Sequence, residues 1–179
     1  MSELVIGCGY LGRRVAARWI EAGQEVFALT RSEANARQLH QLGIRPIIGD
    51  VCEPETLRSL PAVDSVLFAV GFDRSSGRSQ HSVYVDGLSN VLNQIGSRCE
   101  QFIYVSSSSV YGQSEGEWVD ESSPCEPAQP GGQCCLAAES RLLSFAHNRQ
   151  ASATSAPIAC VLRLSGIYGP DRLLSRITS

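Results

Sequence analysis

Short apolar runs alternate along this chain with longer stretches in which apolar and polar residues are mixed. The runs predict six β-strands, at Leu4–Ile6, Glu25–Leu29, Arg45–Ile48, Ser65–Val70, Gln101–Val105 and Ile158–Leu164. They are mostly apolar on both faces, which is typical of parallel strands covered by helices on both sides. The mixed stretches predict helices at Leu11–Ala22, Glu33–Leu42, Glu53–Ser59, Ser82–Ile95 and Leu136–Asn148. Strand–helix alternation with short links predicts an α/β fold with a doubly wound parallel sheet.

Two polar segments follow predicted strands and are interpreted as loops. Gly71–Gln80 contains Ser75-Ser76-Gly77, and Gln113–Gln133 is rich in Gly, Pro, Ser and acidic residues. Both loops should lie at the carboxyl edge of the sheet, where ligands bind in open α/β folds. A third segment, Ala151–Pro157, is small and polar and is predicted to be a surface connector.

A glycine pattern lies between the first predicted strand and the first predicted helix. Gly7-Cys8-Gly9-Tyr10-Leu11-Gly12 reads G-x-G-x-x-G, and its strand–helix context makes it a strong signal for dinucleotide binding in a Rossmann-like fold. Gly7 would allow the tight turn, Gly9 the close approach of a pyrophosphate, and Gly12 the close packing of helix on sheet. The phosphates are expected at the positive end of the helix. The alternative is a glycine-rich turn with no ligand.

The end of the second predicted strand bears on which dinucleotide is bound. Sites for NAD usually have an acidic residue there, which bonds the adenosine ribose. This chain has Thr30 followed by Arg31. An arginine can pair with a 2′-phosphate that a carboxylate would repel, so NADP is favoured over NAD. The alternative is that Arg31 is an ordinary solvated loop residue.

Composition limits the possible partners and surroundings. The 179 residues predict one domain, and a net charge of −3 gives no basic surface for nucleic acid. We expect neither a membrane span nor a signal peptide, since the sequence shows no sufficiently long apolar run and no typical leader pattern. The seven cysteines form no metal-ligand pattern, which predicts free thiols in a cytoplasmic protein and no metal site. All fifteen basic residues are arginines, and the sequence contains no lysine.

The fifth predicted strand and its neighbours carry a family resemblance. The segment from Phe102 to Gly112, Phe-Ile-Tyr-Val-Ser-Ser-Ser-Ser-Val-Tyr-Gly, resembles the serine-rich strand end of the extended short-chain dehydrogenases, the NAD-dependent epimerase/dehydratase superfamily. The glycine motif, Gly49-Asp50-Val51, Ser123-Pro124 and the Arg163–Pro170 segment resemble the same family in the same order. The resemblance covers nearly the whole chain.

The resemblance implies roles for individual residues. Gly7, Gly9, Tyr10, Leu11 and Gly12 would line the pyrophosphate. Asp50 would accept a hydrogen bond from the adenine amino group, with Val51 against the ring. Ala69, Val70 and Gly71 would flank the adenosine. Ser107 matches the catalytic serine or threonine that bonds the reacting oxygen of the substrate, although a strand-end serine that bonds the local backbone is an equal alternative.

One departure from the family concerns its catalytic core. The family places a tyrosine four residues before a lysine, and the lysine lowers the tyrosine pKa. Here Gly131 lies at the tyrosine position and Cys135 at the lysine position. Because the chain has no lysine, no shift of the alignment restores the pair. This pattern resembles an atypical YeeZ-like branch of the superfamily.

Other candidates for chemistry have weaker support. Tyr111 and Tyr168 are possible acids, but local packing is the more ordinary role for both. Cys134 and Cys135 are a possible reactive pair, with burial against the sheet as the favoured alternative. The family's substrate-binding lobe would begin near 170, and residues 170–179 look like the start of such a lobe, incomplete here. Either a natively short protein or a fragment is compatible with this.

Three functions follow from the sequence. The first is an NADP- or NAD-dependent oxidoreductase or epimerase that acts on a nucleotide-sugar or similar small polar substrate without the usual Tyr–Lys pair. The second is a noncatalytic protein that senses a dinucleotide. The third is an inactive, truncated relative that persists as an interaction domain.

Overall fold

The computed structural model describes residues 1–95, 97–151, 156–170 and 172. Six strands are formed by Ser2–Ile6 (β1), Glu25–Thr30 (β2), Arg45–Ile48 (β3), Ser65–Phe68 (β4), Gln101–Ser107 (β5) and Ile158–Leu164 (β6). The α-helices are Tyr10–Glu21 (α1), Glu33–Gln41 (α2), Gly87–Ile95 (α3) and Pro130–Ala151 (α4). Short 3₁₀ turns lie at Pro54–Leu57, Arg74–Ser76 and Ser108–Val110, and a π-helical turn at Ser82–Asp86 leads into α3.

The six strands form one parallel sheet in the order β3-β2-β1-β4-β5-β6. The chain reverses direction across the sheet between β3 and β4, and β1 and β4 are neighbours at that point. In register, Ile6 at the end of β1 lies beside Leu29 of β2 and Phe68 of β4. Ligands in open α/β sheets bind outside the carboxyl ends of the strands at such a reversal. The predicted Rossmann-like doubly wound α/β fold is confirmed.

Two hydrophobic cores cover the two faces of the sheet. Alternate residues of β1 serve each core: Leu4 and Ile6 face one, and Val5 faces the other, all three fully buried. The first core receives Leu88 from α3 and Leu142 from α4. The second core is closed by residues of α1 and α2, among them Ala16 and Leu39. This period-2 distribution explains why the strands look apolar on both faces in the sequence.

Some element boundaries differ from those predicted. Helix α4 begins at Pro130, six residues before the predicted Leu136, so Gly131 and Gly132 are helical rather than part of a loop. Proline is well suited to the first turn of a helix, and Gly132 packs so closely on the Ser109 carbonyl that a Cβ would collide with it. The predicted helix at 53–59 contains only the 3₁₀ turn Pro54–Leu57.

Two predicted regions lie largely outside the described residues. Of the connector 151–157, residues 152–155 are not described, and of the predicted lobe start 170–179 only Pro170 and Arg172 are described. Among the helices of the described ranges, none combines the length and apolar character that a membrane crossing requires.

Candidate functional site

A large cleft opens at the carboxyl edge of the sheet, where β1 and β4 meet. Its volume is about 1100 Å³, enough for a dinucleotide. Its walls come from the β1–α1 turn, the ends of β2 and β3, and the loop of residues 69–81 that follows β4, called the β4 loop below. Ten of the eleven residues predicted to bind the cofactor line this cleft: Gly7, Gly9, Tyr10, Leu11, Arg31, Asp50, Val51, Ala69, Val70 and Gly71. The eleventh, Gly12, is buried and is not part of the lining.

The three glycines of the motif differ in what a Cβ atom would meet at each position. Gly7 has a φ of +89°, and a Cβ there would lie 2.5 Å from the Ala69 carbonyl. A Cβ on Gly12 would lie 2.6 Å from the Gly7 oxygen and 2.9 Å from the Val5 side chain. By contrast, nothing lies within 4 Å of a Cβ built on Gly9, which is exposed beside the cleft. Thus Gly7 and Gly12 are required by the fold, whereas Gly9 leaves open space where a ligand can approach the backbone.

Helix α1 presents its N-terminus to the cleft without a side-chain cap. Gly9 is the N-cap residue, and neither a capping side chain nor an acidic residue in the first turn is found in this described part of the chain. The first backbone N–H groups of a helix have no intrahelical acceptor and carry a partial positive charge. This end of α1 is therefore suited to hold an anion such as a pyrophosphate.

The first turn of α1 is held from the C-terminal side of the described chain. The Tyr10 hydroxyl donates to the Pro170 carbonyl at 3.0 Å, and the Arg14 guanidinium lies 3.6 Å from the centre of the Tyr10 ring. Arg14 donates to the same carbonyl at 3.0 Å. Tyr10, which was predicted only to line the pyrophosphate, therefore also links the glycine motif to the Tyr168-Gly169-Pro170 segment.

Side chains at the end of β2 form a connected polar surface. Arg31 is about half exposed and forms an ion pair with Asp73 of the β4 loop, with a nitrogen–oxygen distance of 3.5 Å. Arg13, from α1, donates to the Asn35 side-chain oxygen at 2.6 Å and to that of Gln38 at 3.2 Å. Asn35 in turn donates to the buried Thr30 hydroxyl at 2.8 Å. Both partners of the Arg13 guanidinium are uncharged, so they hold it beside the cleft without neutralising its positive charge.

Arg13 and Asn35 were not predicted from the sequence. The available signal was an arginine directly after the third glycine, in the first turn of the helix. What the sequence did not show is that α1 and α2 lie side by side, so that a residue of one fixes a residue of the other.

Asp50 already has two partners. Its Oδ1 accepts from the Cys52 backbone N–H at 2.8 Å, and its Oδ2 accepts from Arg78 at 3.2 Å. Arg78 also binds Glu53 at 2.9 Å, and the two neighbouring carboxylates raise the Arg78 pKa, Asp50 most strongly. Val51 is buried against Gly87, and its side chain leaves no room for a Cβ there. Contacts within the protein therefore fix Asp50 and Val51 in the lining of the cleft.

Ser107 lies at the end of β5 and caps the turn that follows. Its Oγ accepts a hydrogen bond from the Ser109 N–H at 3.1 Å. This local bond is the alternative considered for a strand-end serine. Because the hydroxyl acts as acceptor in it, its own proton remains available to an oxygen beyond the strand end. Both roles are compatible with this bond, although Ser107 is not among the residues that line the cleft.

Tyr111 belongs to a polar network that crosses from β5 to β6. Arg163 of β6 donates to the Tyr111 hydroxyl at 3.0 Å, and that hydroxyl donates to the Asp120 carbonyl at 2.8 Å. Arg163 also binds the buried Glu139 of α4 at 2.8 Å, and Ser106 donates to Glu139 at 2.5 Å. Hydrogen bonds from Arg163 to Glu139 and Tyr111 raise the Arg163 pKa above its ordinary value. The Tyr111 hydroxyl is thus fully engaged as a structural link.

The positions of the family's tyrosine and lysine, Gly131 and Cys135, lie one helical turn apart on α4. A Cβ on Gly131 would lie 3.5 Å from the Gln80 side-chain amide, which covers this position. Cys135 is buried, and burial raises its thiol pKa, while a hydrogen bond from Tyr104 lowers it in part. Burial likewise raises the pKa of the half-buried Cys134. Neither cysteine has the depressed pKa of a reactive thiolate.

Tyr168 is 71% exposed, which leaves most of its side chain uncovered. The same is true of Trp118 in the loop 111–129, which is 99% exposed and was not considered as a candidate from the sequence. We find no cluster of three metal-ligating side chains among the described ranges.

Residues 4–179 match the sequence model of the NAD dependent epimerase/dehydratase family. A ketoreductase of Stigmatella aurantiaca, which acts on a farnesyl dihydroquinoline oxide, is 31% identical over 172 residues, covering 92% of this chain and 49% of that protein. Protein YeeZ of Escherichia coli is 24% identical over 174 residues, covering 94% of this chain and 59% of YeeZ. This chain spans about half the length of the relatives it matches.

Solved structures agree with the fold. A structure assigned to the NAD-dependent epimerases/dehydratases of a Methylobacillus species is 34% identical, with a TM-score of 0.73 over 96% of this chain and 56% of the other. A short-chain dehydrogenase/reductase superfamily protein of Agrobacterium tumefaciens, solved with bound NAD, is 23% identical with the same TM-score of 0.73, covering 91% of this chain and 48% of the other. The resemblance predicted from the sequence, including that to YeeZ-like proteins, is confirmed.

Proposed function

Because this chain belongs to the NAD-dependent epimerase/dehydratase family, we propose that it binds a nicotinamide dinucleotide in the carboxyl-edge cleft, with NADP preferred over NAD. The observation that carries the proposal is the open backbone at Gly9 beside the uncapped N-terminus of α1. A pyrophosphate fits such a place because it needs both close backbone approach and a positive helix end.

The preference for NADP rests on charge. Arg31 lies at the end of β2, and Arg13 holds a second guanidinium beside the same part of the cleft through Asn35 and Gln38. No acidic residue occupies the position at which NAD sites usually bond the adenosine ribose, since Thr30 and Arg31 are there. Two guanidinium groups favour a ligand with an additional phosphate.

The chemistry of the proposed site starts from hydride transfer, which the nicotinamide supplies when it is bound. Ser107 would donate its free hydroxyl proton to a substrate oxygen, because its lone pair already accepts from Ser109. Tyr111 is less suited to be an acid, because proton transfer would break its bond to Asp120. We therefore assign Ser107 to orienting a small polar substrate, such as a nucleotide-sugar, and Tyr111 to holding the loop beside it.

A noncatalytic, dinucleotide-sensing role is the second candidate, and Gly131 and Cys135 are the observation that favours it. Neither a phenol nor an ammonium is available at these positions, so the family's usual proton transfer has no donor.

The seven cysteines are all free thiols, which supports a reducing compartment, and we propose the cytoplasm.

Titration of the protein with NADPH and NADH, followed by the fluorescence of the reduced nicotinamide, tests the proposal. We expect saturable binding of both, tighter for NADPH. Turnover of a panel of nucleotide-sugars and small carbonyls then separates an enzyme from a sensor. If neither dinucleotide binds at millimolar concentration, the proposed function is wrong and an interaction domain becomes the better description.

A further inference from the structure

Three ion pairs link the β4 loop, residues 69–81, to the segments that follow β2 and β3. Asp73 of the loop pairs with Arg31 after β2, and Arg78 of the loop pairs with Asp50 and Glu53 after β3. In the sheet, β4 is separated from β2 by β1. The loop therefore reaches past the end of β1 to the part of the cleft that the adenosine end of a dinucleotide would occupy.

The two carboxylate oxygens of Asp73 have separate tasks. Oδ1 accepts from the Ser75 N–H at 2.9 Å and from the Ser75 hydroxyl at 2.6 Å, which shapes the turn of the loop. Oδ2 lies 3.5 Å from Arg31. The hydrogen bonds from Ser75, with Arg31 contributing less, lower the Asp73 pKa, so the carboxylate stays charged at neutral pH. The charge of Asp73 is thus directed at the guanidinium that we assign to the cofactor's 2′-phosphate.

We propose that Asp73 is a specificity-determining residue, because its carboxylate pairs with Arg31 where the 2′-phosphate of NADP would bind. NADP must displace this carboxylate from Arg31, whereas NAD, which lacks the 2′-phosphate, leaves the ion pair intact. This inference rests on the proposed function. The pair is about half exposed, so it is weak and a phosphate with two negative charges can replace it. The displaced carboxylate then remains near the phosphate and repels it. Asp73 therefore narrows the preference for NADP that Arg31 creates.

Asp73→Asn separates the two tasks of the side chain. Asparagine keeps an oxygen for Ser75 but removes the charge that faces Arg31. We expect the ratio of NADPH to NADH affinity to rise about three- to tenfold, mainly through tighter NADPH binding. Glu55→Gln is the matched control, because Glu55 is an exposed partner of Arg58 outside the lining of the cleft, and it should leave the ratio unchanged.

The same titration in an Arg31→Ala background shows whether the effect passes through Arg31. There, most of the gain from Asp73→Asn should disappear. An unchanged ratio in Asp73→Asn, while Arg31→Ala lowers it, would overturn the role of Asp73 and leave the proposed function intact. If Glu55→Gln raises the NADPH to NADH affinity ratio by as much as Asp73→Asn does, the effect comes from the change in net charge, and the proposed role of Asp73 is wrong. If neither the wild type nor Asp73→Asn binds either dinucleotide, the proposed function and this inference are both wrong.

Discussion

Arg163 and Glu139 form a two-point ion pair between the last described strand and α4. The Nε atom of Arg163 lies 3.2 Å from Oε1 of Glu139, and Nη2 lies 2.8 Å from Oε2. Glu139 is 2% exposed, and Ser106 donates to it from β5. The pair therefore fixes the carboxyl ends of β5 and β6 against α4, and with them Ser107 and Tyr111.

We predict that Arg163→Leu destabilises the protein by about 3–5 kcal/mol, because the Glu139 carboxylate would remain buried without its cation. Urea denaturation measures the change. Adding Glu139→Gln to the variant removes the buried charge and should recover part of the loss. If the double variant is as unstable as the single one, the cost comes from lost packing of the arginine side chain rather than from the unpaired carboxylate.

Replacing Gly9 and Gly12 should have opposite consequences. Gly9→Val should abolish dinucleotide binding with little change in Tm, because its side chain enters open space beside the cleft. Gly12→Val should lower Tm by several degrees or prevent folding, because its Cβ would collide with Gly7 and Val5. Thermal melts and NADPH titrations of both variants check this. A stable Gly9→Val variant that binds normally would exclude the glycine turn as the pyrophosphate site.

Arg31→Asp should weaken NADPH and spare NADH. It replaces a pairing charge by a repelling one, and a charge-assisted contact contributes about 1.5–3 kcal/mol, so discrimination should change tenfold or more. Arg37→Asp provides the control, since Arg37 is exposed on α2 outside the lining of the cleft. Equal behaviour of the two variants would mean that Arg31 does not contact the cofactor.

Carbonyl reduction by the wild type should be slow, because loss of a positioned general acid typically costs a factor of about 10²–10⁴. Any residual activity should fall further in Ser107→Ala. Gly131→Tyr/Cys135→Lys should raise turnover only if the new phenol can displace the Gln80 amide and the lysine tolerates the buried position beside Tyr104.

NADPH consumption with the carbonyl and nucleotide-sugar panel provides the measurement for these catalytic variants. If the wild type turns over a substrate rapidly and Ser107→Ala is equally active, another residue must be the acid. In that case Tyr111 and the exposed Tyr168 are the next residues to replace. Activity in the double variant alone would identify a competent scaffold that lacks its proton donor.

Glu3, at the amino edge of the sheet, gives the stability a dependence on pH. Burial raises its pKa above the ordinary 4.5, with the nearby Asp64 carboxylate adding to the effect, and Oε2 has no hydrogen-bond partner in the described part of the chain. Between pH 4.5 and the raised pKa we expect the folded state to bind more protons than the unfolded state, so stability should fall as pH rises through this range.

Glu3→Gln should remove this dependence and stabilise the protein at pH 7. Denaturant melts at pH 4.5 and pH 7 test it, with Glu21→Gln as the control because Glu21 is an exposed member of an ion pair. If the free energy of unfolding changes between pH 4.5 and pH 7 by the same amount in the wild type and in Glu3→Gln, Glu3 is not the source of the pH dependence.

The strands and the glycine turn were predictable because local pattern decides them. A buried parallel strand is apolar on both faces whatever its neighbours are. Gly7 has a positive φ, and a Cβ on Gly12 would collide with Gly7 and Val5, which are close in sequence. The start of α4 was missed because Pro130-Gly131-Gly132 has the composition of a loop. Its helical form depends on Gly132 packing against the Ser109 carbonyl, a contact between segments that are distant in sequence.

The ion pairs around the cleft could not be predicted from the sequence, because they too join segments that are distant along the chain. Arg31 was predicted as a cofactor residue, but its partner Asp73 depends on how the β4 loop crosses the sheet. Asp50 was predicted to face adenine, and its bond to Arg78 is equally a matter of loop path. Sequence spacing identifies which residues lie at strand ends, but it does not say which strand ends a loop joins.

The central place of β1 in the sheet has a consequence for how the chain folds. β1 pairs with β2 across a short connection but with β4 across about sixty residues, and β5 and β6 are separated by a similar distance. Pairing over such separations requires costly loop closure, so we expect assembly in two steps. The β1-α1-β2 unit, with the glycine turn, can form while synthesis continues, and the pairing of β5 with β6 must wait until β6 has emerged.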